Sequence, residues 1–427
     1  MPPPVVQPRT AYAVWELTLK CNLACGHCGS RAGDTRNDEL SPEEALDLVR
    51  QLAEVGIQEV TIEGGEAFLR PDWLEIARAI TDAGMRCTMT TGGYGLSRET
   101  ARKMKDAGIA HVSVSVDGLE ATHDRIRGKP RSFFFCFQTL GHFREVGLPF
   151  SANTQINRLS APELPALYER LRDAGIRGWQ VQLTSAMGNG GDNAWMLLQP
   201  AELPDFYRML ARVALRARDE SRVALTPAND IGYFGPYDDL LFASVGKLWA
   251  GCKAGLSVLG IHADGGIKGC PTLPSEYVGG NIRKQPLADI LESRELTFNV
   301  DAGTEKGTAH MWGYCGSCKY AAACRGGCSQ QAHVLFDKRG NNPFCHYRSL
   351  ELAGRGLRER IVPGKPGPGR PFDHGVFDLL VEPVDAPWPA DDTHRFSYER
   401  VQWPAGWEAF PLPEPKAQSE ARAAVGT

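Results

Sequence analysis

Apolar residues fall into two rhythms along the first half of the chain. Five stretches with apolar positions at helical spacing close on Asp or Glu, Ala or Val, Gly, then an apolar residue: AEVGIQEV (Gly56), TDAGMRCT (Gly84), KDAGIAHV (Gly108), REVGLPFS (Gly147) and RDAGIRGW (Gly175). Glycine there suits the left-handed position that ends a helix, and the apolar residue after it packs back on the last turn. Between these stretches lie short runs rich in apolar and β-branched residues: WELTL, EVTIEGG, CTMTTGG, HVSVSVDG, FSANTQIN and WQVQLTSAMG. Those runs predict strands. Start signals agree. Ser41-Pro42-Glu43-Glu44 predicts a capping box ahead of the apolar stripe Ala45, Leu48, Val49, Leu52, Val55, and Ser160-Ala161-Pro162-Glu163 predicts a second helix started the same way.

Strands alternating with helices imply right-handed βαβ units and a parallel sheet. About six units fit between residues 13 and 220. The expected fold class is therefore α/β, a partial (β/α)6 TIM-like barrel. Ligands of such sheets sit at the C-terminal strand ends, and here those ends run into Gly, Asn, Asp, Ser, Thr or a cysteine loop.

After residue 220 the alternation stops. Five parts are expected: an N-terminal extension (1–12), the barrel (13–228), a bridging segment (229–251), a small Cys-rich domain with a β-hairpin and short helices (252–350), and a tail (351–427). Ile261 to Ile267 reads as a hairpin turning at Asp264-Gly265. The tail (GKPGPGRP, then PVDAPWPADD) reads as extended and partly disordered, its aromatics Phe377, Trp388, Trp403 and Trp407 free to pack on the body. The aromatics of NDIGYFGPYDDLLF (229–242) either line a peptide groove or pack in a bridging loop, the second being the more ordinary outcome.

The chain has 427 residues, 42% apolar, with net charge −4. No basic stripe invites nucleic acid. MPPPVVQPRTAY lacks an apolar core for a signal peptide, and no apolar run nears the roughly 18 residues that span a bilayer. A cytoplasmic protein without membrane association is expected. The chain carries 12 cysteines, and in a reducing compartment such clustering points to metal rather than disulfides.

Three of those cysteines, Cys21, Cys25 and Cys28, share one short loop after the first strand. A cubic [4Fe-4S] cluster suits three ligands from one loop and keeps one iron open. A zinc knuckle with His27 as fourth ligand is the plainer alternative.

CNLACGHC resembles the cluster loop of the radical S-adenosylmethionine (SAM) superfamily, and further motifs follow in order over residues 13 to about 190. Gly64-Gly65-Glu66 resembles the segment that binds the methionine amino group. Ser113 to Gly118, with Ser115 and Asp117, resembles the fourth-strand segment near the ribose. Arg127 resembles the basic residue that often meets the SAM carboxylate. The resemblance implies that SAM chelates the open iron and is reductively cleaved to a 5′-deoxyadenosyl radical. Asn153 and Gln155 are read as satisfying barrel-mouth backbone groups.

Cys315, Cys318, Cys324, Cys328 and Cys345, preceded by Cys252 and by Gly265-x4-Cys270, resemble the SPASM extension of radical SAM enzymes that act on peptides and proteins. That likeness implies one auxiliary [4Fe-4S] cluster on Cys315, Cys318, Cys324 and Cys345 and another on Cys252, Cys270 and Cys328, three clusters in all. The last set lacks a fourth cysteine, so open or non-cysteine coordination is expected, His262 being one filler. Cys87 and Cys136 read as small buried hydrophobes.

The implied activity is modification of a ribosomally made peptide, with crosslinking ahead of epimerisation. Formylglycine formation of the sulfatase-maturase kind and a non-enzymatic iron-sulfur carrier are the alternatives. A flavodoxin- or ferredoxin-type reductant is expected. Only about 12 residues precede the first strand, too few for a leader-binding module, so a separate leader-recognition protein, the C-terminal tail or a leaderless substrate is expected to compensate.

Overall fold

A computed structural model describes residues 11–220, 223–246, 249, 251–299, 305–388, 401–409 and 412. Its strands are β1 (Tyr12–Glu16), β2 (Glu59–Glu63), β3 (Arg86–Thr91), β4 (His111–Ser115), β5 (Phe150–Ile156), β6 (Gly178–Leu183), β7 (Ala224–Pro227), β8 (Val258–Ile261), β9 (Gly266–Lys268), β10 (Val278–Asn281), β11 (Leu357–Lys365) and β12 (Val376–Pro383). The first ten form one sheet in the order β10-β9-β8-β1-β2-β3-β4-β5-β6-β7, parallel from β8 through β7. Helices α1 (Pro42–Glu54), α2 (Trp73–Asp82), α3 (Arg98–Asp106), α4 (Glu120–Arg127), α5 (Ser132–Val146) and α6 (Leu164–Asp173) connect the strands. All five predicted terminal glycines have positive φ. The α/β class and the barrel-like parallel sheet are as the sequence implies.

Alternation decides which face of the sheet is covered. Val60, Ile62, Cys87, Met89, Val112, Val114, Ala152, Trp179 and Val181 point outward and are fully buried under the helices. The opposite row is polar apart from Val14: Tyr12, Glu16, Glu59, Thr61, Glu63, Arg86, Thr88, His111, Ser113, Ser115, Ser151, Asn153, Gln155, Gln180 and Gln182. A closed eight-fold barrel packs its interior with branched apolar side chains. A polar interior instead leaves a lumen suited to ligands.

Three local expectations need correction. The Ser41 capping box forms as predicted, with Glu44 N donating to Ser41 Oγ (3.2 Å) and Ser41 N to Glu44 Oε2 (2.8 Å). Ser160, however, caps nothing. Asn157 N donates to its Oγ (2.9 Å) and Asn157 Oδ1 accepts from Ser160 N (3.2 Å), so the hydroxyl is already spent in an Asx-type turn. Glu163 instead accepts from Leu119 N and Thr122 Oγ1 ahead of and within α4.

The tail differs too. The helix His346–Gly354 crosses the expected boundary at 350, and β11 and β12 form an antiparallel hairpin beyond it. Ile361 and Phe377 are buried, Trp403 and Trp407 pack on the core, and Arg358 lies over Trp388. Pro and Gly bias hid the alternation of LRERIV and VFDLLV. Most of 389–400 and 410–427 lies outside the described residues.

The bridging segment is a packed loop. Tyr233 and Phe234 are buried, both with positive φ, and Phe234 stacks on Tyr320 at 4.3 Å.

Candidate cofactor and cluster sites

The loop Cys21–Cys28 leaves β1 at the C-terminal mouth of the sheet. Its sulfurs already accept main-chain hydrogen bonds: Leu23 N to Cys21 Sγ (3.4 Å) and Ala32 N to Cys28 Sγ (3.3 Å). Arg127 Nη1 lies 3.7 Å from Cys25 Sγ. All the cysteines are free thiols. Burial, then Glu66 and the neighbouring thiols, pushes Cys21 up to about 12. Burial, opposed by Arg127, pushes Cys25 up to about 11. Thiols crowded this way ionise when a metal replaces their protons, so the donor set fits an iron-sulfur cluster.

Gly64 and Gly65 pass directly against this loop. Gly65 N donates to Thr18 O (2.7 Å) and Glu66 N to Lys20 O (2.8 Å). A Cβ on Gly65 would stand 2.3 Å from Lys20 O, and one on Gly64 2.3 Å from Thr18 O. Only glycine lets the two backbones approach so closely. The crossing aims Glu66 inward, where it is 2% exposed. Its carboxylate accepts from Thr91 Oγ1 (2.6 Å) and Gly92 N (2.5 Å). Burial outweighs these bonds and raises it to about 7.

Asp117, Arg127 and His27 form one buried knot. Asp117 Oδ2 accepts from Arg127 Nη2 and lies 2.7 Å from each of Arg127 Nη2 and His27 Nε2. Its Oδ1 accepts from Gln155 N (2.8 Å), and His123 Nδ1 accepts from Asp117 N (3.0 Å). Burial alone would raise the Asp117 carboxyl, but Arg127 and His27 hold it below the ordinary carboxylate range. Asp117 thus acts on the loop through His27 and Arg127, while Arg127 Nε stays buried without a partner. Ser115 pairs in register with Asn153 on the inner face, where Asn153 Oδ1 also lacks a partner.

The later cysteines sort into two groups. Cys315, Cys318, Cys324 and Cys345 line one aromatic-walled cavity with Tyr233, Phe234, Tyr314, Tyr320 and Tyr347. Tyr320 N donates to Cys318 Sγ (3.4 Å) and Arg348 N to Cys345 Sγ (3.5 Å). Cys324 is pushed up to about 12 by burial and then by Cys315 and Cys318. Burial, then Cys252 and Cys270 among its neighbours, raises Cys328. The structure thus brings together, as free thiols, cysteines that the SPASM resemblance groups. His262, named as a filler for the three-cysteine group, has its Nε2 buried without a hydrogen-bond partner. It stacks on Phe372 at 4.6 Å, and Lys268 and Arg36 are the charges that act on it. Cys87 and Cys136 are fully buried, Cys136 Sγ donating to Gly92 O (2.9 Å).

Sequence reasoning missed the charges inside the lumen. Glu16 is raised by burial and Lys268 lowered by burial, each moderated by the other. Burial raises Glu63 to about 7. Lys268 lies in β9, and its Nζ sits 3.6 Å from the Phe372 ring centre. Asp230, raised by burial to about 7, accepts from Leu183 N (3.0 Å) at the end of β6. The only sequence signal for the inward acids was their place in the alternation.

The radical SAM superfamily profile matches residues 15–157, and that of an iron-sulfur cluster-binding domain, SPASM, matches 252–319. AdoMet-dependent heme synthase of Methanosarcina barkeri is 30% identical over 347 residues, 78% of this chain and 95% of that protein. The chain belongs to the radical SAM superfamily. PqqA peptide cyclase of Rhodopseudomonas palustris is 29% identical over 343 residues, 77% of this chain and 85% of that one. Among solved structures, Streptococcus suis SuiB bound to S-adenosylmethionine shares the fold at 18% identity and a TM-score of 0.60, over 79% of this chain and 76% of SuiB. This radical SAM enzyme accordingly pairs a SAM-binding barrel with an iron-sulfur SPASM domain. No helix among the described residues is long and apolar enough to cross a membrane.

Proposed function

We propose that this radical SAM enzyme modifies a ribosomally made peptide, forming a crosslink. The observation that carries the proposal is the inner row of the sheet. Ser113, Ser151, Asn153, Gln155, Gln180 and Gln182 offer hydroxyls and amides, which suit the alternating donors and acceptors of a peptide backbone. A heme precursor bearing several carboxylates would call for arginines or lysines there. The inner row adds acids, Glu16 and Glu63, and its Arg86 is paired with Glu59 (2.6 Å). Lys268, the cation beside them, is matched by Glu16. PqqA peptide cyclase, 29% identical, is a relative named for acting on a peptide.

In this reading Cys21, Cys25 and Cys28 hold the SAM-binding cluster. Cys315, Cys318, Cys324 and Cys345 hold a second [4Fe-4S] cluster, and Cys252, Cys270 and Cys328 a third. Glu66 takes the SAM ammonium, Arg127 directs its spare donor to the SAM carboxylate, and Ser115 with Asp117 borders the ribose. A cluster held by Cys21, Cys25 and Cys28 would supply, with a flavodoxin- or ferredoxin-type reductant, the electron chemistry for reductive cleavage of SAM. The lumen residues hold the substrate C–H bond in reach and exclude water. Bond formation by the substrate radical releases a proton and an electron: Glu16, Glu63 and Asp230 are carboxyls that could take the proton, and an oxidised auxiliary cluster would accept the electron.

The test is anaerobic co-expression with short peptides encoded beside the gene, read by mass spectrometry. A peptide that loses two hydrogens and gains a crosslinked fragment supports the proposal. Unchanged peptides, together with turnover of iron-coproporphyrin III by the same preparation, would overturn it.

A further inference from the structure

Outside the cysteine groups, three separate segments bring imidazole and carboxylate together. His333 lies on the helix Ser329–Phe336, and Asp337 stands one turn later at its end. Glu276 lies in the short turn Ser275–Tyr277, and His374 lies two residues before β12. One ligand atom from each of Glu276, His333 and His374 lies within 4.8 Å of the others. His374 Nε2 is 4.0 Å from Glu276 Oε1 and 3.8 Å from Asp337 Oδ1, and His333 Nε2 is 3.6 Å from Asp337 Oδ1.

Both rings are oriented through their other nitrogen. His374 Nδ1 lies 2.8 Å from Gly375 O. A carbonyl only accepts, so that nitrogen carries the hydrogen, and in the neutral ring Nε2 keeps a lone pair. His333 Nδ1 lies 3.1 Å from the Tyr277 hydroxyl. The His333 side chain is 10% exposed and its Nε2 has no hydrogen-bond partner. Metal-bound histidines are held in this way, by a carbonyl or hydroxyl behind the ring. With both rings neutral, lone pairs and carboxylates face one another across a gap that a cation would fill.

We propose that Glu276, His333, Asp337 and His374 bind one zinc ion. Two imidazoles and two carboxylates are donors that zinc takes, and four of them suffice for tetrahedral coordination. The ion would tie down a segment that also touches the first cysteine loop. Phe372 N donates to Gly29 O (3.1 Å), Gly188 N to Asp373 O (2.8 Å), and Arg31 Nε to Asp373 Oδ1 (2.8 Å). Zinc would therefore clip residues 372–374 between the cysteine-rich domain and the barrel mouth.

The test uses full-length protein with its clusters reconstituted anaerobically, passed over a chelating resin and titrated with zinc chloride against a chromophoric chelator. The expected result is one tight zinc per chain. Zinc-edge X-ray absorption should show only nitrogen and oxygen ligands at about 2.0 Å. His374→Gln and His333→Gln should each weaken binding tenfold or more with iron and sulfide content unchanged, and zinc should slow proteolysis near residue 374. Should a histidine variant fail to fold, Glu276→Gln carries the test, because the Glu276 side chain is 61% exposed, and it too should weaken zinc binding. No tight zinc, zinc bound through sulfur, or binding unchanged in the folded variants would overturn the proposal.

Discussion

Glu66 is a carboxyl buried beside a cysteine loop, and its protonation sets its usefulness. Burial lifts it from 4.5 to about 7. Between those values the folded, SAM-free protein holds a proton that the unfolded chain releases. That contribution to stability is full below the lower value and is lost as pH rises through the higher one. An ammonium partner has the opposite demand, since it prefers the ionised carboxylate. SAM affinity should therefore tighten as pH rises from about 6 to about 8. Glu66→Gln should weaken binding about tenfold, or about 1.4 kcal/mol, and flatten the pH dependence; calorimetric SAM titrations across that range measure both. The knot at Asp117 makes a second residue-scale prediction. Asp117→Asn strands the buried Arg127 charge and should cost about 3–5 kcal/mol, read as a lowered denaturation midpoint. The cysteine clusters stand out in sequence by their spacing, and their division into groups came from the SPASM resemblance. The partners of Arg127 were not, because Asp117 and His27 reach it across the fold, with nothing local in sequence to announce the contact.

At the scale of elements, local chemistry was read well where nothing competed for it. Ser41 and Glu44 satisfy each other, so the capping signature holds. Ser160 carries a similar signature and fails because Asn157 takes its hydroxyl first. The crossing of Gly64-Gly65 under the cysteine loop is equally specific. Gly65→Ala would press a methyl onto Lys20 O, and the loop must shift to admit it. That variant should lose iron from the first cysteine group while the other two keep theirs, as iron counts and electron paramagnetic resonance of the reduced protein would show. The two later groups should also separate. Cys324→Ala and Cys328→Ala should each remove a different resonance, and loss of the same signal in both would merge the groups.

Across the whole molecule, the sheet extends beyond what six alternating units announce. Strand β8 of the cysteine-rich part pairs with β1 in parallel, and β9 carries Lys268 into the lumen. No periodicity links residues 12 and 258, so that pairing belongs to tertiary structure. The tail hairpin was hidden for a different reason, since prolines and glycines around it outweighed two short alternating runs. The inner polar row, by contrast, was present in the strands all along as their second face. Together these place the first cysteine loop, Glu66 and the polar lumen at one mouth. The most direct test is to reduce anaerobically reconstituted protein in the presence of SAM and measure 5′-deoxyadenosine. The account predicts its formation by the natural chain and none from Cys25→Ala with the later cysteine groups still loaded. A natural chain that leaves SAM whole, or a Cys25→Ala protein that still cleaves it, would contradict the account.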